Sequence, residues 1–424
     1  MILLHALEWV LLALGAYTFG VALCGFLPRR RVPAVAPLHR FVVLVPAHDE
    51  AAVVGEAVRA LTLLDYPRRM FRVVVVADNC TDDTAKRARA AGADEVLERT
   101  DPVQTGKGYA LRWALERVAL RWTPDAVCVF DADNVMTPNF LSVMNARLAA
   151  GADVVQGYLD TKNPDDSWVT KAISTGYSVS SRLFQLSREN VGMSAALGGT
   201  GYCIRVATLR AFPPDPACVT DDAELQMRLL REGIRVEWAH DAVTFDEKPL
   251  TLQASNAQRT RWMQGRWDVA RRHLLPLLAR AFRHADHAAL DGAIACVQPS
   301  RSAVAVLATG VAAAHAVAAL AGWPVAAWFS VPLAAWGVLL PCYAIFPAAA
   351  MRAEGMRTRE LARYAYTALF NSTWLPILVR GFVRSGERRW VPTRHTRSIS
   401  AEARLAARRG DSDREGADRS ERVA

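Results

Sequence analysis

The sequence predicts an α/β domain held between apolar membrane helices. Short β-branched runs alternate with helix-length segments through the middle of the 424-residue chain, a pattern typical of a largely parallel sheet. Long apolar stretches lie toward the two ends and reach the roughly 20 residues that a bilayer crossing requires. Polar clusters follow the predicted strands, and ligands of open α/β sheets bind at that edge.

The first predicted membrane segment is residues 1–28. The stretch from Ile2 to Leu27 has Glu8 as its one formal charge and is followed by Arg29-Arg30-Arg31. Because basic residues mark the cytoplasmic side, the next domain, residues 38–285, is expected in the cytoplasm. A cleaved signal peptide is the alternative, but the apolar run exceeds the usual ~7–15-residue core and no basic region precedes it.

Two more crossings are predicted within residues 289–350, on either side of Gly322-Trp323-Pro324. Residues 351–395 are predicted to form an amphipathic segment on the membrane surface, because each arginine at the bilayer centre would cost about 2.5–3.5 kcal/mol. The basic tail, residues 396–424, is expected to be disordered and cytoplasmic. The chain is thus predicted to be an integral protein of the cell (inner) membrane.

Charge and cysteine content narrow the choice of partners. The net charge of +9 favours contact with anionic membrane lipids. Nucleic acid is not an expected partner, since the basic residues flank apolar segments and no nucleic-acid-binding motif accompanies them. The seven cysteines show no C-x-x-C spacing, so neither a disulfide framework nor a zinc site is predicted.

Three strands are predicted first in the middle domain: Phe41 to Pro46, Arg72 to Ala77 and Ala126 to Phe130. The clusters His48-Asp49-Glu50, Asp78-Asn79-Cys80 and Asp131-Ala132-Asp133 follow them and should converge on one crevice. Taken alone, the second cluster could be a turn and helix cap. Asp131 and Asp133 point more strongly to a site, because carboxylates after a buried strand repel each other unless a divalent cation or donors compensate them.

In motif order the chain resembles the membrane-embedded family 2 glycosyltransferases, inverting enzymes that include cellulose, hyaluronan, chitin and poly-N-acetylglucosamine synthases. The resemblance covers about residues 40–395. It rests on Val45-Pro46-Ala47-His48-Asp49-Glu50, Ala77-Asp78-Asn79-Cys80-Thr81-Asp82-Asp83-Thr84, Gly106-Lys107-Gly108, Asp131-Ala132-Asp133, Gly198-Gly199-Thr200-Gly201, Thr220-Asp221-Asp222 and Gln258-x-x-Arg261-Trp262.

This resemblance implies a GT-A-type domain and assigns roles to its residues. The nucleotide-sugar site would include Pro46, Ala47, Glu50, Asp78, Lys107, Asp131, Ala132, Gln258 and Arg261. Asp131 and Asp133 would hold Mg²⁺ or Mn²⁺, and Asp222, next to Asp221, would be the general base. The acceptor would meet Gly199, Thr200, Gly201 and Trp262.

Some of these residues also have a simpler structural interpretation, and the sequence departs from the family pattern at several positions. Asp221-Asp222 could cap the predicted helix from Ala223 to Glu232, and Trp262 could be an interfacial anchor. The family's usual Tyr-Asn is replaced by His48-Asp49, and its usual first acidic residue at the second strand is Ala77. Inverting transfer by a single in-line displacement needs a base for the acceptor hydroxyl and a positive charge for the leaving diphosphate. Asp222 and Arg261 are residues of the required types.

The expected reaction is metal-dependent, inverting transfer from a UDP-sugar to a growing polysaccharide by a processive β-glycan synthase. The alternative is a single transfer to a lipid-linked acceptor, which needs no export channel. Expected partners are the UDP-sugar, the glycan or lipid acceptor, membrane lipids and, for a synthase, export proteins. A non-catalytic scaffold is a third interpretation, but Asp133, Asp222 and Arg261 are all retained.

Overall fold

A mixed eight-stranded sheet forms the centre of the middle domain. In the computed structural model, residues 1–298, 300–324 and 328–385 are described. The strands are β1 Phe41–Ala47, β2 Phe71–Asp78, β3 Glu95–Arg99, β4 Ala126–Val129, β5 Val135–Met136, β6 Val154–Thr161, β7 Tyr202–Arg205 and β8 Val236–Asp246.

The strand order is β3-β2-β1-β4-β7-β6-β8-β5. The first four strands in this order are parallel, which confirms the predicted α/β arrangement of β1, β2 and β4. Strand β7 is antiparallel to both β4 and β6, and β6 pairs in parallel with β8. The parallel half brings the carboxyl ends of β1, β2 and β4 to one edge of the sheet.

Side chains of β1 alternate between two cores because successive residues of a strand point to opposite faces. Phe41, Val43 and Val45 are fully buried in the core on one face. Val42 and Leu44 are fully buried in the core on the other face. Helices cover both faces, so β1 reads as a continuous apolar run, as expected for a parallel strand.

The helices follow the chain as α1 Ile2–Leu23, α2 Val54–Thr62, α3 Thr84–Ala90, α4 Lys107–Arg121, α5 Phe140–Ala149, α6 Trp168–Ser180, α7 Ser187–Asn190, α8 Val206–Ala211, α9 Asp221–Arg231, α10 Leu252–His284, α11 His287–Val297, α12 Arg301–Leu320, α13 Leu333–Ala353, α14 Tyr364–Ser372 and α15 Trp374–Val383. A π-helical segment, Ser181–Leu186, joins α6 to α7.

Among the described residues, three helical segments are long and apolar enough to cross a membrane: Ile2–Phe26, Arg301–Leu320 and Leu333–Ala353. They pack together, with Phe19 of α1 against Tyr343 of α13 at a ring-centroid distance of 4.9 Å. Glu8, the one charge predicted within the first segment, is fully buried and accepts hydrogen bonds from Ser330 N and Oγ at 2.8 and 3.0 Å.

The segment predicted to be amphipathic is divided into short helices that lie against α10. Arg259 of α10 donates to Thr373 Oγ1 at 2.8 Å, and its guanidinium lies 3.8 Å from the ring centroid of Phe370. Trp267 Nε1 donates to the carbonyl of Leu378 at 3.3 Å. Residues 386–395 of this predicted segment, and the whole predicted tail, lie outside the described residues.

A buried ion pair joins α7 to α11, and α1, the first candidate membrane helix, donates a hydrogen bond to it. Asp291 of α11 accepts from Arg188 Nε and Nη2 at 2.7 and 2.8 Å and from the Tyr17 hydroxyl at 2.7 Å. We expect Asp291→Ala to lower the free energy of unfolding by about 3–5 kcal/mol, because Arg188 then stays buried without its counter-charge. Denaturant titration in neutral detergent micelles measures this loss.

The matched control is Asp241→Ala, which removes a partner of Arg29 from a pair 3.5 Å apart whose carboxylate is 73% exposed. Such an exposed pair contributes about 0–1 kcal/mol. Equal, small changes for both variants would contradict a structural role of the Asp291 pair.

Candidate active site

One cavity of about 340 Å³, the polar cleft, lies at the carboxyl ends of the parallel strands. It brings together nearly all residues that the sequence singled out. Those lining it are Pro46, Ala47, Glu50, Asp78, Lys107, Asp131, Ala132, Asp133, Gly199, Thr200, Asp221, Asp222, Gln258, Arg261 and Trp262. Gly201 is the exception: it directly precedes β7, and its N–H donates to the carbonyl of Val129 at 2.8 Å.

Carboxylates from two different strand ends meet on one wall of the polar cleft. Asp133 follows β4, and its Oδ2 accepts from the backbone N–H of Glu247 at 2.8 Å. Asp246, the last residue of β8, lines the same wall. Burial raises the pKa of Asp246 to about 6, with Lys248 opposing the shift and the charges of Asp133 and Asp131 reinforcing it. A concentration of negative charge of this kind suits a divalent cation.

Lys107 begins α4 and reaches across the polar cleft. Its Nζ donates to Asp131 Oδ1 and to the carbonyl of Gly199, the latter at 2.7 Å. Burial lowers the Lys107 pKa but the charges of Asp131, Asp221 and Asp222 outweigh it, so the net shift is upward. The amine is therefore a fixed cation among the cleft carboxylates.

Asp221 and Asp222 are the first two residues of α9, which begins two residues before the predicted start at Ala223, and Thr220 rather than the aspartate pair is at the N-cap position. Burial raises the pKa of Asp222, against the backbone N–H of Ala223 and the positive charges of Arg266 and Lys107. Burial and the neighbouring Asp222 charge raise the pKa of Asp221. A carboxylate with a raised pKa beside an open cleft is a better proton acceptor than a free one.

Two glycines allow the backbone to come close to this pair. Gly199 has a φ of +78°, a conformation that residues with a side chain rarely adopt, and a Cβ there would lie 3.3 Å from Asp222 Oδ2. Gly265 of α10 approaches Thr220 so closely that a Cβ would lie 2.3 Å from its Oγ1. The close packing of α10 on the start of α9 places the Gln258 to Trp262 box over the cleft.

Arg261 is the cation of that box. It is half-buried, and burial lowers its pKa while the charges of Asp222, Asp221 and Asp131 oppose the change. A guanidinium remains protonated under such conditions. Arg261 therefore faces the same carboxylates as Lys107 and can donate in a fork to two oxygens of one anion.

The opposite end of the cleft contains the residues after β1 and β2. Asp78 accepts from Arg99 Nη1 at 2.5 Å, and both side chains are buried. Thr84 Oγ1 accepts from the backbone N–H of Glu50 at 2.8 Å. Asp82, which lies two residues before helix α3, accepts from the backbone N–H of Thr84, the first residue of that helix, at 2.9 Å. The Asp78 side chain makes its contact with Arg99 and not with the start of this helix.

One part of the cleft wall, and one residue that supports the cleft from behind, were not predicted from the sequence. Asp246 ends β8, a strand that was not among the predicted ones, and Glu247 and Lys248 follow it; Lys248 donates to Asp246 Oδ2 at 2.5 Å. Arg99 lies on β3, which was also not predicted. The available signal was the alternation of apolar and polar residues in Val236-Glu237-Trp238 and Val243-Thr244-Phe245, just before this charged triplet.

A second cavity, the apolar chamber, adjoins the polar cleft and measures about 940 Å³. Five residues line both: Tyr177, Lys248, Gln258, Trp262 and Arg266. From this border the apolar chamber extends between α6, α10 and the candidate membrane helices, past Phe19, Val306 and Leu340. Trp262 thus lies between a charged compartment and one bounded by membrane helices.

The mixed sheet and carboxylate-lined cleft define a GT-A-type glycosyltransferase domain. Residues 39–265 match the model of the glycosyltransferase-like family 2, which is more than half of the chain. The chain therefore belongs to that family, and its enzyme class is glycosyltransferase.

Several characterised proteins are similar to this chain. A β-monoglucosyldiacylglycerol synthase of Nostoc is 27% identical over 62% of this chain and 58% of its own length. The probable glycosyltransferase YdaM of Bacillus subtilis is 28% identical over 58% of this chain and 59% of its own. The chain thus spans less than two thirds of the length of these relatives.

A solved structure shows a similar fold over most of the chain. The mannosyltransferase PcManGT of Pyrobaculum calidifontis, in complex with GDP-Man and Mn²⁺, is 20% identical with a TM-score of 0.55. The likeness covers 89% of this chain and 98% of that one. At this level of identity the comparison establishes the fold.

Proposed function

We propose that this chain is a membrane-anchored hexosyltransferase that moves one sugar from a UDP-sugar to a lipid acceptor. The observation that carries the proposal is the border at Trp262, where the polar cleft adjoins the apolar chamber. Lipid chains in the chamber would place a lipid head group at the cleft. The glucosyldiacylglycerol synthase relatives support the same class of acceptor. The catalytic domain lies on the cytoplasmic side of the cell (inner) membrane.

The donor would occupy the polar cleft from the β1 and β2 end toward the carboxylates. Glu50 and Asp78 lie where base and ribose would bind, and Asp78 is kept in place by Arg99. Asp131, Asp133 and Asp246 are the residues that would hold Mg²⁺ or Mn²⁺. All three line the polar cleft, and Asp131 and Asp133 are close enough for their charges to raise the pKa of Asp246, so the set offers the oxygen ligands that such an ion prefers. When bound, the ion supplies positive charge to the diphosphate oxygens.

The transfer itself needs two contributions from the chain: a base for the acceptor hydroxyl and positive charge for the leaving diphosphate. Asp222 takes the proton of the acceptor hydroxyl while that oxygen forms a bond to the anomeric carbon of the sugar. The bond from that carbon to the diphosphate breaks, and the diphosphate leaves with the electron pair. Arg261 and Lys107 donate to the leaving oxygens, and Lys107 gives up its contact with Asp131 to do so. The configuration at the anomeric carbon inverts.

The contribution of Asp246 can be tested through the metal. We expect Asp246→Asn to raise the Mn²⁺ concentration for half-maximal activity about 10–100-fold, a loss typical of residues that support a metal site. The matched control on the same strand is Asp241→Asn, whose carboxylate is 73% exposed and outside the cleft. Equal metal dependence of both variants would remove Asp246 from the site.

The nature of the product tests the function as a whole. Membranes carrying the protein are incubated with Mg²⁺ and radiolabelled UDP-sugars, and the product is sized before and after lipid extraction. A short product that enters the organic phase is the expected result. A long polymer in the water phase would contradict the lipid-acceptor proposal.

The second candidate is the processive β-glycan synthase that the sequence predicted. The position of Trp262 favours it, because an indole face at the exit of the cleft can stack on a sugar ring of a growing glycan. A cellulose synthase catalytic subunit of Xanthomonas axonopodis is 22% identical over 39% of its own length. The apolar lining of the chamber is a poorer match to a polysaccharide than to acyl chains.

A further inference from the structure

Arg266 is a cation at the border of the two cavities. It lies on α10, four residues after Trp262, and is exposed to the space that the polar cleft and apolar chamber share. Its positive charge lowers the pKa of Asp222, which places it near the proposed base. Within residues 1–298, 300–324 and 328–385 its guanidinium forms no ion pair with a carboxylate.

Arg301 is a second cation on the wall of the apolar chamber. It begins α12, at the end of that candidate membrane helix nearest the domain, and its guanidinium lies 4.1 Å from the ring centroid of Phe184. The nearby Asp291 already accepts two hydrogen bonds from Arg188. In the described part of the chain Arg301, too, has no carboxylate partner.

Two uncompensated cations beside an apolar cavity need an explanation. Arg301 is half-buried, and a cation held away from water is costly unless an anion or aligned dipoles balance it; its cation–π contact with Phe184 does so only in part. Arg266 is exposed, so its guanidinium is accessible to an anion that enters from the chamber.

Two buried arginines nearby have carboxylate partners: Arg188 is paired with Asp291, and Arg182 with Glu354 at 2.6 Å. Arg259, which is buried and also lines the chamber, donates instead to Asn256 Oδ1 and Thr373 Oγ1 at 2.6 and 2.8 Å. Within the described residues, Arg266 and Arg301 line the chamber with neither kind of partner.

We infer that the acceptor is an anionic lipid whose head-group phosphate lies between Arg266 and Arg301. This inference rests on the proposed function, because it concerns the acceptor of the same reaction. The apolar chamber would take the acyl chains, and the two guanidinium groups would hold the phosphate at its polar end. A hydroxyl beyond the phosphate would then reach Asp222, with which Arg266 interacts.

The chain thereby selects a lipid with a phosphate and a free hydroxyl over a neutral diacylglycerol. We expect purified full-length protein in neutral detergent micelles to use dioleoylphosphatidylglycerol with about tenfold or higher kcat/KM than dioleoylglycerol. Arg266→Gln and Arg301→Gln should each lower this ratio about tenfold, the usual effect of removing a hydrogen bond to a charged group. Arg266→Lys should keep part of the preference.

Arg283→Gln is the matched control, since Arg283 is an exposed residue in the last turn of the same helix and lines neither cavity. It should keep the wild-type ratio. Circular dichroism of each variant reports correct folding, and calorimetric binding of UDP reports the donor site separately. If Arg301→Gln does not fold, the ratios measured for Arg266→Gln and Arg266→Lys are the test.

Each other outcome overturns the inference in a distinguishable way. Equal use of both lipids would show that the phosphate is not recognised. The same conclusion follows if the substitutions leave the ratio of kcat/KM for the two lipids unchanged. In both cases the proposed transfer to a lipid acceptor would still stand. An equal loss with both lipids, together with weaker UDP binding, places Arg266 on the donor instead. Sugar transfer that yields only a water-soluble polymer removes the lipid-acceptor function and this inference together.

Discussion

Asp222→Asn is expected to lower kcat about 10²–10⁴-fold, the usual contribution of a positioned general base. The amide has nearly the shape of the carboxylate but cannot take the acceptor proton. Donor binding should change little, because the nucleotide end of the polar cleft is formed by residues after β1 and β2. Initial rates at saturating UDP-sugar, with UDP binding measured separately, test both expectations.

The control for this substitution is Asp215→Asn. Asp215 precedes the same helix, lies outside the polar cleft and pairs with Arg272 at 2.8 Å. Its removal should leave the rate near that of the wild type. An Asp222→Asn enzyme that also turned over at that rate would remove Asp222 from the mechanism.

The pH dependence of kcat is a second test of Asp222 as the base. Burial raises the pKa of Asp222, and the base must be ionised to act, so activity should fall on acidification at a higher pH than for a free aspartate. The charge of Arg266 opposes this shift. Arg266→Gln should therefore move the acid limb of the kcat profile to still higher pH.

The sequence was informative about the parallel half of the sheet for a physical reason. Strands buried on both faces read as apolar runs, so β1 and β2 could be located to within one residue, and β4 lacks only its last predicted residue, Phe130. Strand β3 is a short edge strand with charged residues at positions 95, 98 and 99, and it was not recognised. The antiparallel position of β7 depends on long-range pairing that no local pattern encodes.

The candidate site could be predicted where it consists of short motifs and not where it depends on distant pairing. Lys107, Asp131 and Asp222 are in recognisable local contexts, and the fold brings them into one cleft. Asp246 lies in the cleft because β6 pairs with β8, and no local sequence motif predicts this pairing. The apolar chamber arises from the packing of α1, α6 and the helices from α10 to α15, which are far apart in sequence, so sequence periodicity gave no sign of its volume.

The second large effect is expected for Arg261. Arg261→Gln should lower kcat/KM about 10²–10³-fold, the usual cost of removing one fixed donor to charge that develops in the transition state. The reason is position: Arg261 lies close enough to Asp222, Asp221 and Asp131 for their charges to act on its pKa. It is thus near the oxygens that leave with the diphosphate in the proposed reaction.

Arg261→Lys separates charge from shape. A lysine keeps the positive charge but loses the planar fork, so we expect it to restore only part of the activity. Arg283→Gln, on the same helix but outside both cavities, should behave as the wild type in steady-state kinetics. If Arg261→Lys were fully active, a point charge would suffice and the bidentate clamp would be wrong; if Arg261→Gln were fully active, Lys107 and the metal would neutralise the leaving group without it.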